Sequence, residues 1–227
     1  MNYKIQVQTK RMMKKTLTLC IILLFLGTTI SGCLGDGFKS NSNEISISSP
    51  NWTKSDFWEY SVKTSNLEVS TTMVVAIDND ATDYYIGAGS LEDARIHAVV
   101  NHNPALGRVQ MSDYSVYENN QPQKIIDFPL KNSKSWSFSL YGEDEFVASV
   151  IGIENGLAEI SAVSNTGARI SYIFSQEARW FSYFEFNNAN GETVLSMELA
   201  NYGTGFTGNA YFCRGGDLYD KEFEGPD

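Results

Sequence analysis

Residue-by-residue alternation of apolar and polar side chains constrains this chain more than any other feature. Trp58, Tyr60 and Val62 alternate with Glu59, Ser61 and Lys63. Trp136, Phe138 and Leu140 alternate with Ser135, Ser137 and Ser139, and Leu195, Met197 and Leu199 with Ser196 and Glu198. Successive side chains of a strand point to opposite faces, so a period of two means strands with one buried face. The same pattern predicts further strands at 67–78, 82–87, 107–112, 146–154, 157–163, 168–174, 178–186 and 206–213. Turn residues separate them: Asp78-Asn79-Asp80, Glu154-Asn155-Gly156, Asn165-Thr166-Gly167 and Asn190-Gly191. Strands at roughly 8–12-residue spacing, joined mostly by short turns, predict an antiparallel meander. One segment departs from this pattern. Ser90 can cap a helix whose first turn carries Glu92 and Asp93, with Leu91, Ala94 and Ala98 at helical spacing. Asn101-His102-Asn103-Pro104 stops it, so one short helix is expected.

Charge divides the chain. Residues 1–32 hold Lys4, Lys10, Arg11, Lys14 and Lys15 and no acidic residue. The remaining 195 residues carry 12 basic and 27 acidic side chains, a net charge of −15. Nucleic-acid binding needs a basic footprint and is not expected. The apolar run from Thr16 to Ile30 follows Lys14 and Lys15 directly. As a helix it rises about 22 Å, short of a hydrocarbon core of roughly 30 Å. A basic start and an apolar run of that length are the marks of an export signal. A start at Met12 or Met13 leaves a tidier n-region than one at Met1.

The run ends in Ile30-Ser31-Gly32-Cys33. This resembles the lipobox of prokaryotic lipoproteins: an aliphatic residue, two small residues, then Cys. The small residues fit a narrow peptidase cleft, and the thiol is the one side chain there that can form a thioether to diacylglycerol. The resemblance implies lipidation of Cys33. Two acyl chains anchor a protein stably where one does not. Cys20 then leaves with the signal, Cys33 is lipidated, and Cys213 stays alone, read as a buried small hydrophobe. Residues 34–50, rich in Gly, Ser and Asn, read as a tether reaching about 20–25 Å. Asn51-Trp52-Thr53 fits the N-glycosylation sequon, which makes Asn51 a candidate acceptor.

A second resemblance covers most of 56–202. Asp56-Phe57-Trp58-Glu59-Tyr60, Asn101-His102-Asn103-Pro104 with Gly107-Arg108, Phe128-Pro129-Leu130 with Trp136, an aromatic strand, and Leu195 to Leu199 follow in that order. The order resembles a group of archaeal and bacterial membrane lipoproteins of unassigned activity. In layout it is similar to half-open β-barrel lipoproteins that carry lipids, and this implies lipid carriage without assigning it to particular residues.

Residues that could carry a reaction are sparse. Gly87-Ala88-Gly89-Ser90 reads as a helix start, not a nucleophile elbow. His97 and His102 are five apart and face different sides of a helix, with His97 at a helix edge and Cys213 as a conceivable third metal ligand. Asp78, Asn79, Asp80 and Asp83 gather oxygens, but Asp83 stands where a calcium loop needs Gly, and Gly89 where it needs Glu. Glu143, Asp144 and Glu145 read as a solubilising turn. No metal, cofactor or catalytic residue is assigned, and the chain is expected not to be an enzyme.

Aromatic residues are abundant: 27 follow the signal. In strand 178–186, Trp180, Phe184 and Phe186 share one face, with Phe181 and Tyr183 on the other. Such a strand is covered on both sides or lines a cavity. Trp180, Phe184 and Phe186 are therefore the candidate ligand-lining residues. The expected organisation is a signal at 1–32, the lipidated Cys33 and tether through 50, one β domain at 51–215 and a loose acidic tail at 216–227. The domain is expected to be mainly β: a curved antiparallel sheet, half-barrel or barrel-like, with the helix over one opening. A two-sheet β-sandwich is the alternative. The expected function is a membrane-anchored, extracytoplasmic lipoprotein that binds a hydrophobic ligand or lipid. Alternatives are an interaction module of a cell-envelope complex and, less favoured, a hydrolase with dispersed carboxylates.

Overall fold

The alternating segments become strands of one continuous antiparallel sheet. The computed structural model describes residues 45–77, 82–100, 103–143, 145–214 and 217–223. They fall in the unit Asn43–Asp227. The strands are β1 (Ser46–Ile47), β2 (Phe57–Lys63), β3 (Glu68–Ile77), β4 (Asp83–Ala88), β5 (Gly107–Gln110), β6 (Val116–Glu118), β7 (Gln121–Gln123), β8 (Leu130–Lys131) and β9 (Ser135–Phe138). They continue with β10 (Phe146–Glu154), β11 (Leu157–Ser164), β12 (Arg169–Ser175), β13 (Trp180–Asn187), β14 (Thr193–Gly203), β15 (Ala210–Arg214) and β16 (Asp217–Phe223). Helix α1 spans Leu91–Val100.

Two meanders make the sheet, β2 to β7 and β9 to β14, and they join where β2 pairs with β14, Tyr60 opposite Leu199 and Val62 opposite Met197. The resulting order is β7-β6-β5-β4-β3-β2-β14-β13-β12-β11-β10-β9. Register shifts in four pairings, at Val150/Gly152, Ile173/Phe174, Phe186/Asn187 and Leu199/Asn201, add twist where the sheet curls. The two outer strands approach each other: the Ser139 amide, just beyond β9, donates to Gln123 Oε1 of β7 at 2.7 Å. The sheet is thus nearly closed into a barrel. The expected curved architecture is what the chain adopts, and the sandwich is not.

Helix α1 forms where expected. Ser90 Oγ accepts the Asp93 amide at 3.1 Å, and Glu92 and Asp93 occupy the positive end of the helix. The helix follows β4 and packs on β4 and on the β15–β16 hairpin.

Several boundaries differ from expectation. Ile47 lies in the range read as tether, yet it pairs with Leu130 and is buried. Asp217–Phe223 lies in the range read as a loose tail, yet it pairs with β15. Both are short segments whose partners are remote or masked by charge, so local alternation cannot find them. The β6–β7 hairpin turns at Asn119-Asn120, both with positive φ (49° and 61°), which Asn tolerates. Its second strand contains Pro122, acceptable because β7 is a sheet edge. The strand expected at 206–213 begins only at Ala210. The expected signal, Cys33, the first part of the tether and residues 224–227 lie outside the described residues.

The inner face holds the main core, including Trp58, Tyr60, Ile86, Phe146, Ile160, Tyr172, Trp180 and Phe184. Each fully buried large apolar side chain contributes roughly 1.5–3 kcal/mol. A smaller cluster on the opposite face joins Val74 and Ala210 with Phe57, Tyr85 and Phe206. There the Phe57 ring lies over Gly203, where a Cβ would come within 2.9 Å of it.

Candidate functional site

Strand β13 places the three candidate lining residues, Trp180, Phe184 and Phe186, on the inner face. All three are buried, with Trp180 0 % exposed. The chain's own rings surround them. Trp180 meets Trp52 edge-on at 4.7 Å and Phe181 at 4.3 Å. Phe184 lies 5.5 Å from Phe181 and 6.0 Å from Tyr172. Phe186 stacks on Tyr141 at 4.1 Å. Phe181 was expected on the other face. The register shift at Ile173/Phe174 inserts an extra residue on β13, so Phe181 also turns inward, fully buried beside Tyr172 and Phe184. Tyr183 keeps the outer face, where its hydroxyl donates to Glu185 Oε2 at 2.7 Å.

Not all of the core rings come from strands. A barrel of about eight strands is just wide enough for its own side chains to fill. Here twelve strands curl together, and non-strand segments supply the remainder. Trp52, from the segment before β2, touches Trp58, Tyr84, Tyr114 and Trp180. Phe128, from the β7–β8 loop, touches Tyr114 and Phe174. Ile125 and Ile126 of that loop are buried as well. These residues form a plug, which sequence reading missed. The apolar character of Ile125, Ile126 and Phe128 inside a loop was the signal available.

Polar contacts fasten the plug. The Tyr114 hydroxyl donates to Pro50 O, and the Tyr172 hydroxyl to Ile125 O. Trp52 Nε1 donates to Arg179 O at 2.9 Å, Trp58 Nε1 to Ala178 O at 2.7 Å, and Tyr60 Oη to Phe181 O at 2.6 Å. Three inner-face donors thus hold one stretch of backbone, 178–181. Arg179 has φ +64° there and turns its guanidinium to Asp56, with Nη1 2.8 Å from Oδ2. The same Nη1 donates to Asn51 O at 3.0 Å. Asp56 is wholly buried, and its carboxylate also accepts the Thr53 amide and hydroxyl. Burial pushes the Tyr60 and Tyr172 phenols well above their usual range, so both remain donors near neutral pH. Trp180 Nε1 is buried without a hydrogen-bond partner. Trp136 Nε1, on a ring packed against the same core, is likewise unpartnered, so the interior offers apolar rings and unused indole donors. Its buried carboxylate, Asp56, is engaged in structural contacts.

The remaining candidates are dispersed. Asn51 is exposed at the start of the domain, while the next residue, Trp52, is buried. Asp83 belongs to a lateral pair, with Arg108 Nε at 3.5 Å and the Tyr117 hydroxyl at 3.1 Å; Asp78, Asn79 and Asp80 lie outside the described residues. His97 is buried with neither ring nitrogen bonded, and burial lowers its pKa against the opposing pull of Asp93. His102 lies outside the described residues, and Cys213 is in β15. Glu143 accepts the Thr166 hydroxyl at 2.6 Å, Glu145 is exposed, and Asp144 lies outside the described residues. Among the described residues, no three His, Cys, Asp or Glu side chains gather as metal ligands, and no helix is long and apolar enough to cross a membrane. An open depression of about 450 Å³ lies between the β10–β11 and β12–β13 turns, lined by Asn155, Gly156, Leu157, Ser175, Gln176 and Glu177.

In comparison with known proteins, no family model matches this chain, no curated protein matches it, and no solved structure matches it.

Proposed function

We propose that this chain is an extracytoplasmic lipoprotein, anchored to a membrane through lipid on Cys33, that binds a hydrophobic or lipid-like ligand without catalysing a reaction. The observation that carries the ligand reading is the plug: the rings of Trp52 and Phe128, both packed on Tyr114, fill an aromatic interior that the strands alone do not fill. In this reading an apolar ligand takes the place of these rings, with Trp180, Phe184 and Phe186 as its wall. The unpartnered Trp180 indole supplies a donor for a polar head group. The lipobox Ile30-Ser31-Gly32-Cys33 supports the anchor.

Protein purified from its native membrane tests both parts. Denaturation should release about one apolar molecule per chain, detected by mass spectrometry. A clean spectrum, together with no binding of a fluorescent fatty-acid analogue, would sink the ligand reading. Cys33→Ser should move the chain from the membrane fraction to the soluble fraction. Unchanged fractionation would remove the anchor.

A second reading, an interaction module of an envelope complex, rests on a different observation. Val147 and Val163 are cross-strand partners, 53 % and 39 % exposed, with exposed Ile151 and Leu157 on the same hairpin. Crosslinking in cells from Val147 would then capture one dominant protein.

A further inference from the structure

We infer that Asn51 is the acceptor of an N-linked glycan that is added during export, before β2 docks, and that the folded domain refuses it. Asn51-Trp52-Thr53 is the one sequon in the chain. A transferase must draw all three residues into its cleft, and the hydroxyl at the third position is part of what it recognises. In the fold that hydroxyl is engaged: Thr53 Oγ1 donates to Asp56 Oδ1 at 3.1 Å, and the Thr53 amide to Asp56 Oδ2 at 2.7 Å. Trp52 is 2 % exposed and is held among four rings. Asn51 O accepts Arg179 Nη1. The sequon cannot be extended without pulling Trp52 out of the core. The Asn51 side chain itself is exposed, so a glycan already attached is compatible with the finished domain.

In the transfer, Asn51 Nδ2 attacks C1 of the reducing sugar on a polyprenyl-phosphate-linked oligosaccharide. The N–C1 bond forms and the C1–O bond to phosphate breaks. The lipid phosphate leaves with the bonding pair, and one amide proton passes to a base of the transferase. The inference rests only on the export part of the proposed function.

Two measurements test it on the full chain. The peptide containing Asn51, from protein purified out of its native membrane, should carry the mass of a glycan, and Asn51→Gln should abolish it. Protein made without glycosylation is then offered to a purified oligosaccharyltransferase with its lipid-linked oligosaccharide. The folded chain should be modified about 100-fold more slowly than the same chain carrying Trp58→Asp, because only locally opened molecules can be drawn in. Circular dichroism verifies that Trp58→Asp opens the core, and a peptide of residues 46–58 serves as a second open acceptor. Equal rates for folded and open acceptors overturn the timing. An unmodified Asn51 on a chain that carries lipid at Cys33 overturns the site and leaves the export reading standing. A native chain that keeps residues 1–32 and bears neither group overturns both.

Discussion

Asp56 lies just before β2 with its carboxylate held by the Thr53 amide, the Thr53 hydroxyl and the Arg179 guanidinium. It sits beside Phe57-Trp58-Glu59-Tyr60 and resembles a surface acid at the head of a strand. In the fold it is fully buried, ion-paired to Arg179, which lies 123 positions later. Removing one partner of a buried pair leaves an uncompensated charge, at a cost of about 3–5 kcal/mol. Arg179→Ala should therefore lower unfolding free energy by about 3 kcal/mol, read from urea midpoints at constant m-value. A loss below about 0.5 kcal/mol, as for an exposed pair, would show that the Thr53 donors hold Asp56 without the guanidinium. His97 gives a pH dependence. Its pKa is lowered in the fold by burial, so the unfolded chain binds the proton first, near pH 6.5. Stability should fall as pH drops below about 6.5 and stop falling once the lowered folded value is passed. His97→Leu should remove that slope between pH 7.5 and 5.5. An unchanged slope would assign it to other groups.

At the scale of elements, alternation located most of the long strands and Ser90 located the helix. A strand's two faces are set by its own side chains, and a cap by its own backbone, so both are local. Besides β6 and β16, three kinds of feature escaped. Strands β1 and β8 are two residues each and exist because they pair with each other. Strand β7 contains a proline that local propensity rejects. The bulge in β13 reverses one face without changing composition, and only the Ile173–Tyr183 and Phe174–Phe181 pairings reveal it. The same region yields a prediction. Tyr60 Oη donates to Phe181 O beside that bulge. Tyr60→Phe keeps the ring and removes a hydrogen bond to a buried carbonyl, so stability should fall by about 1 kcal/mol in thermal or urea melts, with the fold intact by circular dichroism. No change would mean that water reaches this carbonyl.

At the scale of the molecule, the pairing of β2 with β14 turns two meanders into one curled sheet. The width of that sheet creates the need for a plug, and the plug defines the candidate site. Trp52 is its centre. Trp52→Ala should cost about 3–5 kcal/mol, as large-to-small changes in cores do. If the interior is a container, the same change should raise affinity for an apolar fluorescent probe, because a dry apolar cavity accepts such molecules. Lost stability with no added probe binding would mean that the walls collapse onto the gap, and the ligand reading would lose its support.

Alternation in the sequence determined that this chain makes antiparallel strands, where most of them run, and that one short helix interrupts them. Those properties follow from periodicity and caps within a few residues. The aromatic residues Trp180, Phe184 and Phe186 were also legible as one face of one strand. Their surroundings were not. Which edges meet, which loop fills the interior, and that Arg179 reaches Asp56 depend on contacts across more than a hundred residues. Alternation says which face of a strand is buried but is silent about what buries it, so only the curled sheet could decide them.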